Sequence, residues 1–243
     1  MNTTTLGGET ATTTDRVASS VRLGALAGIV GPLLFTLTFF VQEAFRRDEF
    51  SPVAEPVSAL EAGPNGWIQQ VNFVVFGLMI FAFAVGLNRG VPGTGTWTLG
   101  PALLGIAAFG PILAAVFPLR EDAAGVTYDP GGHFVSGVTF FLGTSLALLA
   151  LARQLSRDAH WRGLATYTAT CGVLALIGFV VMGLLAIPEG APLHDYAGLA
   201  QRTVLLLVTF PCLVALALRL RTSPAAHPTA PSEQAIHTQG SPR

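Results

Sequence analysis

What most limits the fold of this chain is the recurrence of uncharged apolar runs about as long as a membrane is thick. Crossing a hydrocarbon core of about 30 Å takes roughly 20 helical residues. Runs of that length lie at about 21–44, 67–87, 97–117, 133–151, 163–187 and 199–218. Charged residues make up only 11% of the chain, where a soluble domain carries roughly 25%. The pattern predicts an all-α polytopic bundle of six transmembrane helices, a multi-pass protein of the cell (cytoplasmic) membrane. The first run is too long for a signal-peptide core and has no small-residue cleavage site after it, so it is expected as a retained helix.

The flanks read differently. Residues 1–20 are rich in Thr, Ser and Gly, and residues 222–243 in Pro and Ser. Neither offers enough apolar surface to order itself, so both are expected as disordered tails around a transmembrane domain over 21–221. Orientation follows from the basic residues, all thirteen of which are Arg. Nine lie in the two tails and in the connections between runs two and three and between runs four and five. Only Arg46, Arg47, Arg120 and Arg202 lie on the other side. By the positive-inside rule both termini are expected in the cytoplasm, N-in and C-in. The acids run the opposite way, with Glu43, Glu55, Glu61, Glu121, Asp122, Asp129, Glu189 and Asp195 among those on the outer side.

Polar residues also collect at the outer ends of the runs: Gln42 and Glu43, then Gln69, Gln70 and Asn72, then His133, Ser136 and Thr139, and finally Gln201 and Arg202. Positions 69 and 72, like 133 and 136, are one helical turn apart and can share an inward face. An ionised group at the bilayer centre costs about 3 kcal/mol on insertion scales and much less near the interface, so a polar ring at this depth needs no function to exist. Arg202 has two readings, a structural pair with Glu43 or Glu189 and a place in a ligand site; the amides are expected to lock helices together. Ser58, Trp67, Asn72, Arg120 and Arg202 are the candidates for ligand binding. Asp122, Asp129, Glu189 and Arg202 are the candidates for catalysis.

The stretch FPLREDAAGVTYDPGGHFVSG, at 117–137, is the densest in polar groups between two apolar runs. It ends in one of the two histidines expected on the outer side, His133 and His194. Asp122 and Asp129 precede the first, and Asp195 adjoins the second. Imidazole with carboxylate is the ligand set of a catalytic zinc ion, which would make His133, His194, Asp122 and Asp195 the metal candidates. The same groups suit a proton relay or a pH sensor, since free imidazole titrates near 6.5. No recognised metal spacing is present, and a hydrogen-bonded interfacial histidine is the default.

Three further features concern packing. Pro32, Pro111 and Pro211 fall inside runs and are expected to kink or adapt their helices. Gly77 and Gly143 stand eleven residues after the similar openings Gly66-Trp67 and Gly132-His133, and are expected to let helices approach closely. Cys171 and Cys212 lie inside apolar runs and read as small packing residues.

Ser58-Ala59-Leu60 with Gly66-Trp67 before the second run, Phe117-Pro118 followed by Asp122 and then His133, and Gly198-Leu199 with Arg202 opening the sixth form a recognisable series. Over about residues 20–220 it resembles a bacterial and archaeal membrane family known as a domain of unknown function, family nine-nine-eight. That resemblance implies six spans and a polar outer face, with no established activity. Three classes of function fit: a protein that binds or senses a lipid or small ligand at the outer leaflet, a metal-assisted hydrolase of a lipid amide or ester, and a small transporter. The last lacks both a charged residue at mid-membrane depth and an inverted repeat. Membrane lipid and a small-molecule or lipid ligand are the expected partners, nucleic acid is not, and the oligomeric state is not legible.

Overall fold

The computed structural model describes residues 5–93 and 98–227, the side chains of residues 5–13 excepted. Among the described residues there are eight α-helices: α1 (Thr5–Phe45), α2 (Trp67–Gly90), α3 (Leu99–Ala107), α4 (Phe109–Val116), α5 (His133–Leu155), α6 (Ala165–Val181), α7 (Ala197–Thr203) and α8 (Phe210–Arg221). Six helical stretches are long and apolar enough to cross a membrane: Thr14–Phe45, Trp67–Gly90, Leu99–Val116, His133–Leu155, Arg162–Ala186 and His194–Arg221. Their bounds follow the apolar runs to within a few residues. The expected all-α membrane bundle is therefore the fold observed.

Consecutive spans pack on one another and α8 returns to α1, so the six close into a ring. The centre of the ring is aromatic. Phe35 and Phe76 stand 4.6 Å apart between ring centroids, and Phe210 lies edge-on to both, at 5.9 and 5.4 Å. Outward, Leu33, Leu184 and Leu207 are 59, 68 and 72% exposed, a surface that only a lipid solvent makes favourable.

Proline shapes two spans. Pro111 has no N–H to offer the carbonyl four residues back, at Ala107, and the third span breaks there, between α3 and α4. In the sixth span a π-helical stretch, Val204–Thr209, runs up to Pro211. Pro32 lies within α1 without interrupting it. The expected close approaches are present, and they converge on the break in the third span: a Cβ on Gly77 would lie 2.6 Å from the Ala108 carbonyl oxygen, and one on Gly143 3.0 Å from the Ala107 side chain.

Parts of both flanks are described. The first helix begins at Thr5 rather than near residue 21, and Ala18 is already buried in it. A 3-10 turn over Pro224–Ala226 buries Ala226, whose carbonyl accepts from Arg22 Nη1 at 3.4 Å. Local packing against the base of α1 supplies the apolar burial that the composition of these segments did not suggest. Trp97 and residues 228–243, with His237, lie outside the described residues. The long connections, 46–66, 117–132 and 187–196, all lie at one end of the ring, called here the loop-rich end.

Candidate functional site

The first long connection folds inward over the ring. Residues Val57–Glu61 form a 3-10 turn in which all five are buried. Backbone and side-chain bonds hold the segment down. The Val57 N–H donates to Gln201 Oε1 at 2.7 Å, and Arg46 Nη1 donates to the carbonyls of Leu60 and Ala62 at 3.3 and 2.9 Å. The N–H groups of Gly198 and Leu199 donate to the carbonyls of Ala54 and Val53, at 3.1 and 2.9 Å. This docking requires glycine at 198, where a Cβ would lie 2.2 Å from the Glu55 oxygen. Position 66 is tighter still, a Cβ there falling 1.9 Å from the Glu61 carbonyl oxygen.

The central connection is a small β-hairpin, Arg120–Glu121 paired with Thr127–Tyr128, which the sequence did not announce. Asp122 closes its turn, Oδ1 accepting from the N–H groups of Ala124 and Val126 at 2.8 and 2.9 Å. Asp129 does the same for the start of α5. Its Oδ1 accepts from Gly131 at 2.8 Å and from His133 at 3.3 Å, and its Oδ2 from Phe134 at 3.0 Å. Partial burial would raise the Asp129 carboxyl, but these backbone N–H groups and the charge of His133 outweigh it and hold the group below the usual carboxylate range. Both aspartates thus serve as backbone caps.

Between Asp129 and α5, Gly131 and Gly132 take φ of +122° and +100°. Only glycine adopts such angles readily, and the reversal they allow brings His133 under the loop. His133 Nδ1 lies 3.0 Å from the Phe117 carbonyl oxygen and 3.4 Å from Glu61 Oε2. The carbonyl can only accept, so Nδ1 carries a hydrogen. The Glu61 side chain is wholly buried, and neither of its oxygens has a hydrogen-bond partner. Burial pushes its carboxyl up to about 8. The Leu119 amide offsets this in part without coming into hydrogen-bond geometry.

A second polar cluster lies deeper. Arg202 Nε and Nη2 donate to Glu43 Oε1 at 3.1 and 2.5 Å, and Nη1 donates to the carbonyls of Glu55 and Gly198, each at 2.9 Å. The guanidinium stands 5.9 and 5.8 Å from the ring centroids of Phe39 and Phe50. Of the two carboxylates weighed for Arg202, the structure selects Glu43. Gln42 Nε2 and Asn72 Nδ2 both donate to Gln69 Oε1, at 2.9 and 3.2 Å, and Asn72 also reaches the Phe35 carbonyl at 3.2 Å. These amides tie the first two spans together. In this structure Arg202 bonds to Glu43 and two carbonyls, and Asn72 bonds across to the first span.

The remaining candidates do not converge. Trp67 is 62% exposed at the rim, and Arg120, Glu189 and Asp195 are exposed. His194 Nδ1 lies 3.2 Å from the carbonyl oxygen of Ala186, at the end of the fifth span. Among the described residues no group of three or more His, Cys, Asp or Glu is placed to hold a metal ion. His133, His194, Asp122 and Asp195 therefore do not assemble as a zinc ligand set in this geometry.

What does assemble is a divided cavity beneath the loop. Ser58, His133, Gly137, Phe141 and Gln201 border both of its parts. The inner part, about 60 Å³, reaches Phe35, Phe73, Phe76 and Phe140 in the ring centre. The outer part, about 120 Å³, lies between Phe134 and Val138 of α5 and Phe179, Met182 and Ile187 of the fifth span. A π-helical turn, Met182–Ala186, shapes that second wall. From sequence, Ser58 is a candidate for ligand binding and His133 for metal, Gln201 counts only among the helix-locking amides, and Glu61 only among the outer acids. Glu61 stands three residues after Ser58 in VSALEA, and nothing in that local sequence marks it for burial.

Compared with known proteins, residues 29–219 match the model of a family described as a protein of unknown function (DUF998). No curated protein and no solved structure matches the chain.

Proposed function

We propose that this chain, which belongs to the DUF998 family of proteins of unknown function, binds or senses a lipid or small apolar ligand in the cavity under its first long connection. The chain is an integral membrane protein, so such a ligand would reach it from the surrounding bilayer. One observation carries the reading: three hydrogen-bonding side chains, Ser58, His133 and Gln201, meet at the junction of two otherwise apolar cavities. A few placed polar groups in an apolar pocket are what fixes a small ligand's orientation. The excess of Arg at the opposite end supports placing the loop-rich end, and with it the cavity, on the outer side of the cytoplasmic membrane. Residues 21–221 would act as one transmembrane unit.

The test is extraction. Protein purified in mild detergent is opened in organic solvent and the released small molecules are identified by mass spectrometry, beside Ser58→Val and His133→Leu. The expected result is one amphiphile at near one per chain in the wild type, much reduced in both variants at unchanged helix content. A wild type that releases only bulk lipid in the proportions of the host membrane would refute the reading.

A further inference from the structure

The crevice between the fourth and fifth spans carries a glycine on each wall, Gly137 on α5 and Gly183 in the π-helical turn. Neither is there for close packing. A Cβ built on either meets no atom within 4 Å, whereas one on Gly77, Gly110, Gly178 or Gly198 would strike a neighbouring helix or loop. Glycine inside a helix costs roughly 0.5–1 kcal/mol relative to alanine, and at these two positions no contact offsets that cost. Their effect is to leave space in a crevice that leads from the bilayer-facing side chains of Phe134 and Ile187 to Ser58 and His133.

Charge narrows what can enter. Among the described residues, no Asp, Glu or Arg lines either cavity. Of the nearby guanidinium groups, Arg202 is bonded to Glu43 and two carbonyls and Arg46 Nη1 to the carbonyls of Leu60 and Ala62, and neither side chain borders the two cavities. An anionic phosphate at the junction would find no basic partner other than His133. It would also lie close to Glu61, itself buried without a hydrogen-bond partner 3.4 Å from His133. An uncharged hydroxyl, ester or amide would find complementary groups in Ser58, the His133 ring and the Gln201 amide.

Resting on the binding function proposed above, we infer that Gly137 and Gly183 keep open a lateral portal through which an uncharged single-chain lipid enters from the bilayer. Its hydroxyl or carbonyl sits at Ser58, His133 and Gln201, and its chain runs out between α5 and the fifth span. The outer cavity is small, about 120 Å³, which favours one alkyl chain over two.

The test uses the full chain in detergent with two probes of equal chain length, monooleoylglycerol and oleoyl-lysophosphatidylglycerol, binding being read by native mass spectrometry. The wild type is expected to retain the neutral probe at least tenfold better than the anionic one. Gly137→Leu and Gly183→Leu, which fill the portal from opposite walls, are each expected to lose at least tenfold in binding while melting within a few degrees of the wild type. Equal retention of both probes would overturn the assignment of an uncharged head. Undiminished binding in both leucine variants would overturn the portal while leaving ligand binding standing. A wild type that binds neither probe above a scrambled membrane-protein control would overturn both the inference and the function it rests on. If one leucine variant melts early, the other decides, since the two glycines lie on separate helices.

Discussion

Glu61→Gln should stabilise this protein, and more so as the pH rises. Glu61 is a fully buried carboxyl whose oxygens accept no hydrogen bond, and burial moves it from an ordinary 4.5 to about 8. That displacement corresponds to about 5 kcal/mol between its two protonation states. The folded protein keeps the proton to higher pH than the unfolded chain does. Its contribution to stability is therefore complete below about pH 4.5, is lost progressively as the pH rises, and levels off above about 8. At pH 7 the wild type should already have lost about 3 kcal/mol, while a glutamine of the same shape does not titrate. For a chain of this size 3 kcal/mol is roughly 6–12 °C in Tm. Thermal denaturation in detergent, followed by circular dichroism from pH 5 to 8.5, should give similar Tm values for wild type and variant at pH 5 and a widening gap above it. The gap should persist in a His133→Gln background, which removes the neighbouring imidazole. Parallel curves across the whole range would show that Glu61 is solvated or ion-paired, and would refute the argument.

Other expectations concern the supports of the site. Arg202→Met, which strands Glu43 in the interior, should cost about 3–5 kcal/mol, and Glu43→Leu in the same chain should restore much of it; a double-mutant cycle on Tm checks both. Asp129→Ala removes the acceptor of three backbone N–H groups at the start of α5 and should cost about 1 kcal/mol. Because the Asp129 carboxyl is held low, that difference should be full at neutral pH and fade as the pH falls through the carboxyl's own titration. For orientation, a membrane-impermeant maleimide on intact cells should label Glu189→Cys and spare Ala159→Cys; the opposite result would turn the loop-rich end inward.

The spans were legible because hydropathy is a property of continuous sequence. Trp67 and His133 were read as the first residues of their helices and are so, and the third span breaks at Pro111, one of the three prolines expected to kink or adapt a helix. The site was only partly legible because it is made by a loop folding down between helices. Nothing local distinguishes Glu61, buried without a partner, from Glu121, which lies exposed on a hairpin. Burial of Glu61 depends on Gly66 allowing the chain to press against its carbonyl and on Gly198 admitting residues 52–55 to the head of the sixth span. Asp122 and Asp129 misled for a related reason. A carboxylate near a histidine reads as a metal ligand or a catalyst, while the backbone N–H groups that occupy these two belong to turns that are visible only once folded.

The measurement that bears most directly on ligand binding is a density map of the full chain in lipid nanodiscs, at a resolution that separates alkyl chains. The account predicts one elongated feature that starts beside Ser58, His133 and Gln201 and passes between Gly137 and Gly183 into the bilayer. A crevice closed by Phe141 and Met182, with no feature beside His133, would contradict it.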